Sequence, residues 1–197
     1  LKAQESSKKV SDYYGELTFG PEELEKAVSS QALNAYKAAL NGKGPMDMAS
    51  AQKIADAVKD WAIEKGATHF THWFQPLTGL TAEKHDSFLS FDFKSLKYVE
   101  KFNASQLIMS EPDASSFPSG GTRSTFEARG YTAWDLSSPM FIVENAGAKI
   151  LCIPSVFVSY TGNALDTKMS LLRWMNLLSK VATEFLNLIG DKKVESV

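Results

Sequence analysis

Thr68-His69-Phe70-Thr71-His72-Trp73-Phe74 is the stretch whose reading decides the fold class. Its β-branched and aromatic residues read as a strand. It begins just after Gly66, where helical patterning stops. Upstream, Ile54, Val58, Trp61 and Ala62 recur at helical spacing. They predict a helix over 48–65, with Gly66 as its left-handed cap residue. Earlier still, Pro21 suits a first helical position and Glu22 and Glu23 suit the positive end of the dipole, so one helix is expected over 21–40. Asn41-Gly42 and Gly44-Pro45 then stop it. Downstream, Gln75-Pro76-Leu77-Thr78-Gly79 reads as a turn, and Phe88-Leu89-Ser90-Phe91-Asp92-Phe93 alternates as a strand does. Residues 113–121 are dense in Asp, Ser, Pro and Gly and read as a loop. Strands are expected over 131–143 and 150–160, around a turn at Asn145-Ala146-Gly147. A last helix over 169–189 carries Leu171, Met175, Leu178, Ala182, Phe185 and Ile189 at steps of four and three, and Gly190 ends it. Two helices, then a block of strands, then a helix is a segregated order. It predicts an α+β fold rather than alternating β-α units.

The 197 residues suffice for one compact domain or one and a half. Hydrophobic residues at 44% and charged residues at 22% are a normal globular balance, so a sizeable core is within reach. A net charge of −2 gives no overall basic field for nucleic acid or an anionic membrane surface. The longest apolar run, 150–158, contains Pro154 and is too short to span a bilayer. Cys152 is the single cysteine, which excludes an internal disulfide and fits a reducing compartment. The chain starts at Leu1 without a basic, apolar leader, and Lys192-Lys193-Val194-Glu195-Ser196-Val197 reads as a strand cut short. A fragment at both ends is the expectation.

Several groups of residues offer chemistry, each with a plainer alternative. His69 and His72 have metal-like spacing, but an offset of three on a strand puts them on opposite faces. One buried, hydrogen-bonded histidine and one solvated histidine is the expectation, and His85 lies across a turn. Gly120-Gly121-Thr122-Arg123 can cradle a phosphate with backbone N–H groups or simply make a turn; it lacks the lysine and spacing of a P-loop. Glu127 and Arg129 share a strand face, near Tyr131, Trp134 and Asp135. That grouping suits a buried structural pair or a subunit interface. Asp86 and Ser87 offer oxygen ligands. No serine sits in a nucleophile elbow, and Cys152 in an apolar strand reads as inert packing. The residues alone give an α+β segment with a polar loop region and no complete catalytic constellation.

Longer strings go further. Trp73-Phe74-Gln75-Pro76-Leu77-Thr78-Gly79-Leu80-Thr81, within 61–88, is one. Glu111-Pro112-Asp113-Ala114-Ser115-Ser116-Phe117-Pro118-Ser119-Gly120-Gly121-Thr122-Arg123 is a second, continuing into Thr125-Phe126-Glu127-Ala128-Arg129-Gly130-Tyr131-Thr132-Ala133-Trp134-Asp135. Cys152-Ile153-Pro154-Ser155-Val156-Phe157-Val158-Ser159-Tyr160-Thr161-Gly162 is another. Together they resemble the type III glutamine synthetases over about 51–172.

The resemblance implies a much longer enzyme of stacked hexameric rings, a homo-oligomer without nucleic-acid or membrane partners. It would join ammonium to glutamate through a γ-glutamyl phosphate, with ATP as substrate and Mg2+ or Mn2+ on the phosphates. It implies an N-terminal helical region over 1–66, a β-grasp domain over 67–160 and the truncated start of a catalytic barrel domain over 161–197. Each active site would be shared between neighbouring chains. The metal-binding carboxylates and the ATP pocket would lie beyond Val197, leaving the fragment inactive with no metal site of its own. Asp113, or else Asp86, would stand for the aspartate that helps ammonium lose a proton in the neighbour's site. Gln75, Thr78, Glu111 and Arg123 would belong to the substrate loops, and Glu127, Arg129 and Trp134 to structure or interface. The cytoplasm or an organellar stroma would be the compartment. The alternative is a non-catalytic regulatory or assembly module with a β-grasp-like fold.

Overall fold

A computed structural model describes residues 9–77, 79–118, 130–190 and 193–194. Thr78, Gly120, Gly121, Thr122, Arg123, Glu127 and Arg129 lie outside the described residues, as does most of the stretch read as a cut strand after Asp191. The fold is mixed α+β, as the segregated order predicts.

The expected first helix is two. α1 (Pro21–Ala27) ends where Val28 turns extended, and Ser29 caps α2 (Ser30–Leu40) by accepting from the Ala32 amide. A β-branched residue followed by a capping serine outcompetes continued helix. α3 (Met48–Glu64) is as expected. Asp47 accepts from the Ser50 amide at 2.8 Å. At the other end Gly66, at φ +90°, lets the Ala67 amide reach Ala62 O at 2.8 Å, a Schellman closure.

The strands are β1 (Thr18–Phe19), β2 (His69–Phe74), β3 (Ala82–Ser87), β4 (Leu89–Asp92), β5 (Lys97–Glu100), β6 (Met109–Ser110), β7 (Gly130–Trp134), β8 (Met140–Asn145) and β9 (Ala148–Ser159). The main sheet runs β1-β8-β9-β2-β3, with β7 against β9 and β6 against β7, while β4 and β5 form a separate antiparallel pair. The expected strand over 131–143 is interrupted at 135–139, where Asp135 accepts from the Ser137 amide and hydroxyl. The expected strand over 88–93 divides too. Phe88 turns inward as a fully buried anchor, leaving β3 before it and β4 after it. β3 carries the polar string Ala-Glu-Lys-His-Asp-Ser, and no apolar alternation announces it. At Asn145-Ala146-Gly147 the turn is as read: Ala146 and Gly147 both take positive φ and close β8 onto β9 with Asn145 facing Ala148.

The chain divides into two compact units. The first comprises Leu1–His72, His85–Ile108 and Trp134–Pro154. Its core gathers Ile54, Ala55, Val58 and Ala62 of α3 with Phe70, Phe88, Phe102, Leu107, Leu151 and Ile153. Each large side chain so buried contributes about 1.5–3 kcal/mol. His72 is fully buried here. Its Nε2–H donates to Gln106 O at 2.7 Å from α4 (Ala104–Ile108), and burial pulls its pKa down to about 4. His69 is exposed, so the pair divides as its spacing predicts. Cys152 is buried, consistent with packing.

The second unit comprises Trp73–Lys84, Met109–Ala133 and Ser155–Val197. Phe74, Phe117 and Phe157 meet at its centre, with ring centroids 5.0–5.8 Å apart, beside Ala82 and Leu165. Its long helix α5 (Thr167–Ile189) buries none of its residues.

Candidate functional site

The aromatic trio of the second unit pins two loops. Phe74 leads into the Gln75 turn, and Phe117 follows the 3-10 turn Ala114–Ser116. The first loop is fastened by its backbone: the Leu77 amide donates to Leu165 O at 3.0 Å, and Pro76 bridges Asp166. Asp166 is the clamp of this region. Fully buried, it accepts from the Phe157 amide through one oxygen and the Met169 amide through the other, both at 2.7 Å. One carboxylate thus caps α5 and satisfies a buried strand donor.

The second loop holds a polar cluster around the predicted site residues. Asp113 Oδ2 accepts from Lys84 Nζ at 2.7 Å, and Oδ1 accepts from the Ser115 amide at 2.9 Å and from the Ser115 hydroxyl. The Lys84 hydrogen bond, followed by that of Ser115, holds the Asp113 carboxyl down to about 2. Glu111 Oε1 accepts from the Tyr160 hydroxyl at 3.0 Å, which pushes the Tyr160 phenol up, and Tyr160 lies against Tyr131 with centroids 5.8 Å apart.

Chemically, this cluster presents anions held by hydrogen bonds on an exposed rim. Asp113 stays ionised above about pH 4, so it suits holding a cation better than accepting a proton. A primary ammonium, that of Lys84, already occupies one of its oxygens. A folded pKa below the unfolded value makes the pair's contribution complete above the unfolded pKa and lost as pH falls through about 2. With the Asp113 side chain 53% exposed, solvent keeps that contribution small. In a carbon-detected NMR titration, Asp113 is expected to titrate near 2, and Lys84→Met to move it toward the ordinary aspartate range. An unmoved midpoint would show that Lys84 does not hold it.

The sequence-derived residues divide between the units. Gln75, Glu111 and Asp113 belong to the second, where Gln75 is exposed. Asp86 and Trp134 belong to the first. Asp86 is exposed on β3 and accepts from the Ser87 amide at 2.8 Å. Trp134 packs on the core of the first unit beside Tyr36, centroids 5.9 Å apart, and its indole N–H has no hydrogen-bond partner among the described residues. The sequence did not single out Lys84, Tyr160 or Ser115. Lys84 is 29 residues from Asp113 and Tyr160 is 49 from Glu111, so no local spacing joins them. Among the described residues no three His, Cys, Asp or Glu side chains converge, so none of these sets fits a divalent metal. Also among them, no helix is long and apolar enough to cross a membrane.

Comparison with known proteins gives a consistent family. The sequence pattern described as "Glutamine synthetase type III N terminal" matches residues 10–174. A protein named glutamine synthetase from Bacteroides fragilis is 46% identical over all 197 residues, which cover 26% of its own length. One named type-3 glutamine synthetase from Dictyostelium discoideum is 43% identical over 98% of this chain, again 26% of its length. A glutamine synthetase from Butyrivibrio fibrisolvens is 29% identical over 96% of the chain. The chain spans about a quarter of the curated relatives it matches. With residues 10–174 matching that pattern, the chain belongs to the type III glutamine synthetase N-terminal family.

Proposed function

We propose that this chain is the N-terminal part of an ATP-dependent glutamate–ammonia ligase and that, alone, it does not catalyse the reaction. The observation that carries the proposal is the alignment of the whole chain with about a quarter of proteins named glutamine synthetase. In this reading 67–160 is a β-grasp domain, 161–197 opens the catalytic domain, and the Mg2+ or Mn2+ ligands and the ATP pocket lie on the remaining polypeptide. Phosphoryl transfer from ATP to the glutamate γ-carboxylate depends mainly on positioning and charge neutralisation, which that part would supply. The cytoplasm or an organellar stroma is the proposed setting.

The second unit's contribution would be to ammonium. Asp113 is a carboxylate held well below the usual aspartate range on a loop pinned by Phe117, and it already accepts from the Lys84 ammonium. A cation held there sits beside an anion that favours its capture, in an active site shared with a neighbouring copy of a homo-oligomer. Hydrogen bonds to charged groups contribute about 1.5–3 kcal/mol, so Asp113→Asn is expected to raise the ammonium KM of the whole polypeptide by about tenfold or more. Its subunit assembly is expected to stay unchanged. Lys84→Met separates two roles. If Asp113 holds the substrate cation, removing its competitor lowers the ammonium KM. Should Asp113 only clamp its loop, Lys84→Met impairs turnover as Asp113→Asn does. Wild-type kinetics in Asp113→Asn would remove this residue from the site.

A further inference from the structure

The first unit contains a cavity of about 50 Å3 that the ligase reading leaves unused. Its walls are drawn from across the unit: Phe19 of β1, Leu24 of α1, Tyr36 of α2, Ile54 of α3, Trp134 of β7 and Met140 of β8. They are chiefly apolar, and no charged side chain lines the cavity. Pro21 and Pro139 line it too and are exposed, so it is reached from solvent. One water needs about 10–15 Å3, so this space holds a compact molecule and not a segment of chain.

One donor in this wall is unmet. The Trp134 indole N–H is cut off from solvent and has no hydrogen-bond partner among the described residues. Buried donors are nearly always paired, so such a group calls for a cause. Neighbouring polar groups are already engaged. The Tyr36 hydroxyl donates to Leu136 O at 2.7 Å, the Ser137 hydroxyl to Asp135 Oδ1 at 2.6 Å, and the Gly20 amide to Glu23 at 3.0 Å. Burial, and then the Asp135 charge, pushes the Tyr36 phenol up, so this hydroxyl stays neutral.

These properties select the occupant. Water fills a cavity that offers it two to four polar partners, whereas an apolar cavity stays dry and takes up small organic molecules. A charged ligand is disfavoured, because no charged side chain lines the cavity to meet it. What fits is a compact, uncharged, largely apolar molecule with one acceptor atom. We propose that this cavity is a binding site for a small carbonyl compound, a ketone or an amide, whose oxygen accepts from the Trp134 indole N–H.

The site does not depend on the ligase reading, so it is tested by binding and not by activity. Cyclopentanone is the probe and cyclopentane, which lacks the acceptor, is its control. Each is titrated against the whole polypeptide that carries this chain. Trp134→Phe keeps an aromatic ring in the wall and removes the N–H. It should lower the preference for ketone over hydrocarbon by about tenfold, the weight of one hydrogen bond. Crystals of the wild-type polypeptide soaked in cyclopentanone should place its oxygen about 2.7–3.2 Å from Trp134 Nε1. This second measurement stands even where the variant fails to fold. An unchanged preference in a folded variant, or only water beside the indole in the soaked crystal, overturns the proposal.

Discussion

Produced alone, residues 1–197 are expected to self-associate at micromolar concentration, and the cause is expected to be α5. None of its 23 residues is buried. Leu171, Met175, Leu178 and Phe185, spaced to share one face, are 55–69% exposed, and Trp174 and Leu188 are exposed beside them. Monomeric proteins rarely show contiguous apolar patches beyond a few hundred Å2, and this stripe runs the length of a helix of about 35 Å. In the relatives, about three quarters of the polypeptide lies outside the matched part, and the stripe is proposed to dock on that remainder. Leu171→Gln, Met175→Gln, Leu178→Gln and Phe185→Gln combined should abolish these assemblies in sedimentation. Helix content should hold, because no buried contact is lost. A wild-type chain that sediments as a monomer would show that α5 needs no cover.

The second large effect concerns Asp166. Asp166→Ala strands the Phe157 amide in the interior and uncaps a 23-residue helix. A buried donor left unmet costs about 1–3 kcal/mol and a lost cap about 1 kcal/mol, and loosening the Pro76 and Leu165 backbone contacts adds to both. A loss of roughly 3–5 kcal/mol is expected, concentrated in the second unit. Hydrogen exchange should accelerate at Phe157, Leu165 and Leu77 but not at Val58 or Ile54. Asp166→Asn keeps an acceptor oxygen and should lose less. Uniform acceleration through both units, or none, would contradict the clamp. The same loss should unfasten the Gln75 loop, so a stability effect would carry into the candidate site.

The parts legible in the sequence were those written in short-range chemistry. Gly66 ends α3, Ala146-Gly147 closes a hairpin, and the offset of His69 from His72 divides them between faces. Each depends on a few adjacent residues and on backbone preference. The less legible parts depend on partners far along the chain. β3 is polar in sequence and exists through pairing with β2, so its alternation carries no signal. Phe88 reads as one more strand aromatic until Phe70 and Phe102 draw it inward. At the candidate site, Asp113 stood out for its loop, whereas Lys84, which lowers its pKa, belongs to that unheralded strand. The family strings covered both loops because they are long enough to carry context that spacing rules lack.

The most direct measurement sets two proteins side by side in one assay: residues 1–197 alone, and the whole polypeptide that carries them, each given glutamate, ammonium and ATP with Mg2+. Glutamine and phosphate are expected in equal amounts from the whole polypeptide and from the short chain not at all. Glutamine made by the 197 residues alone, or none from the whole polypeptide, would contradict the account.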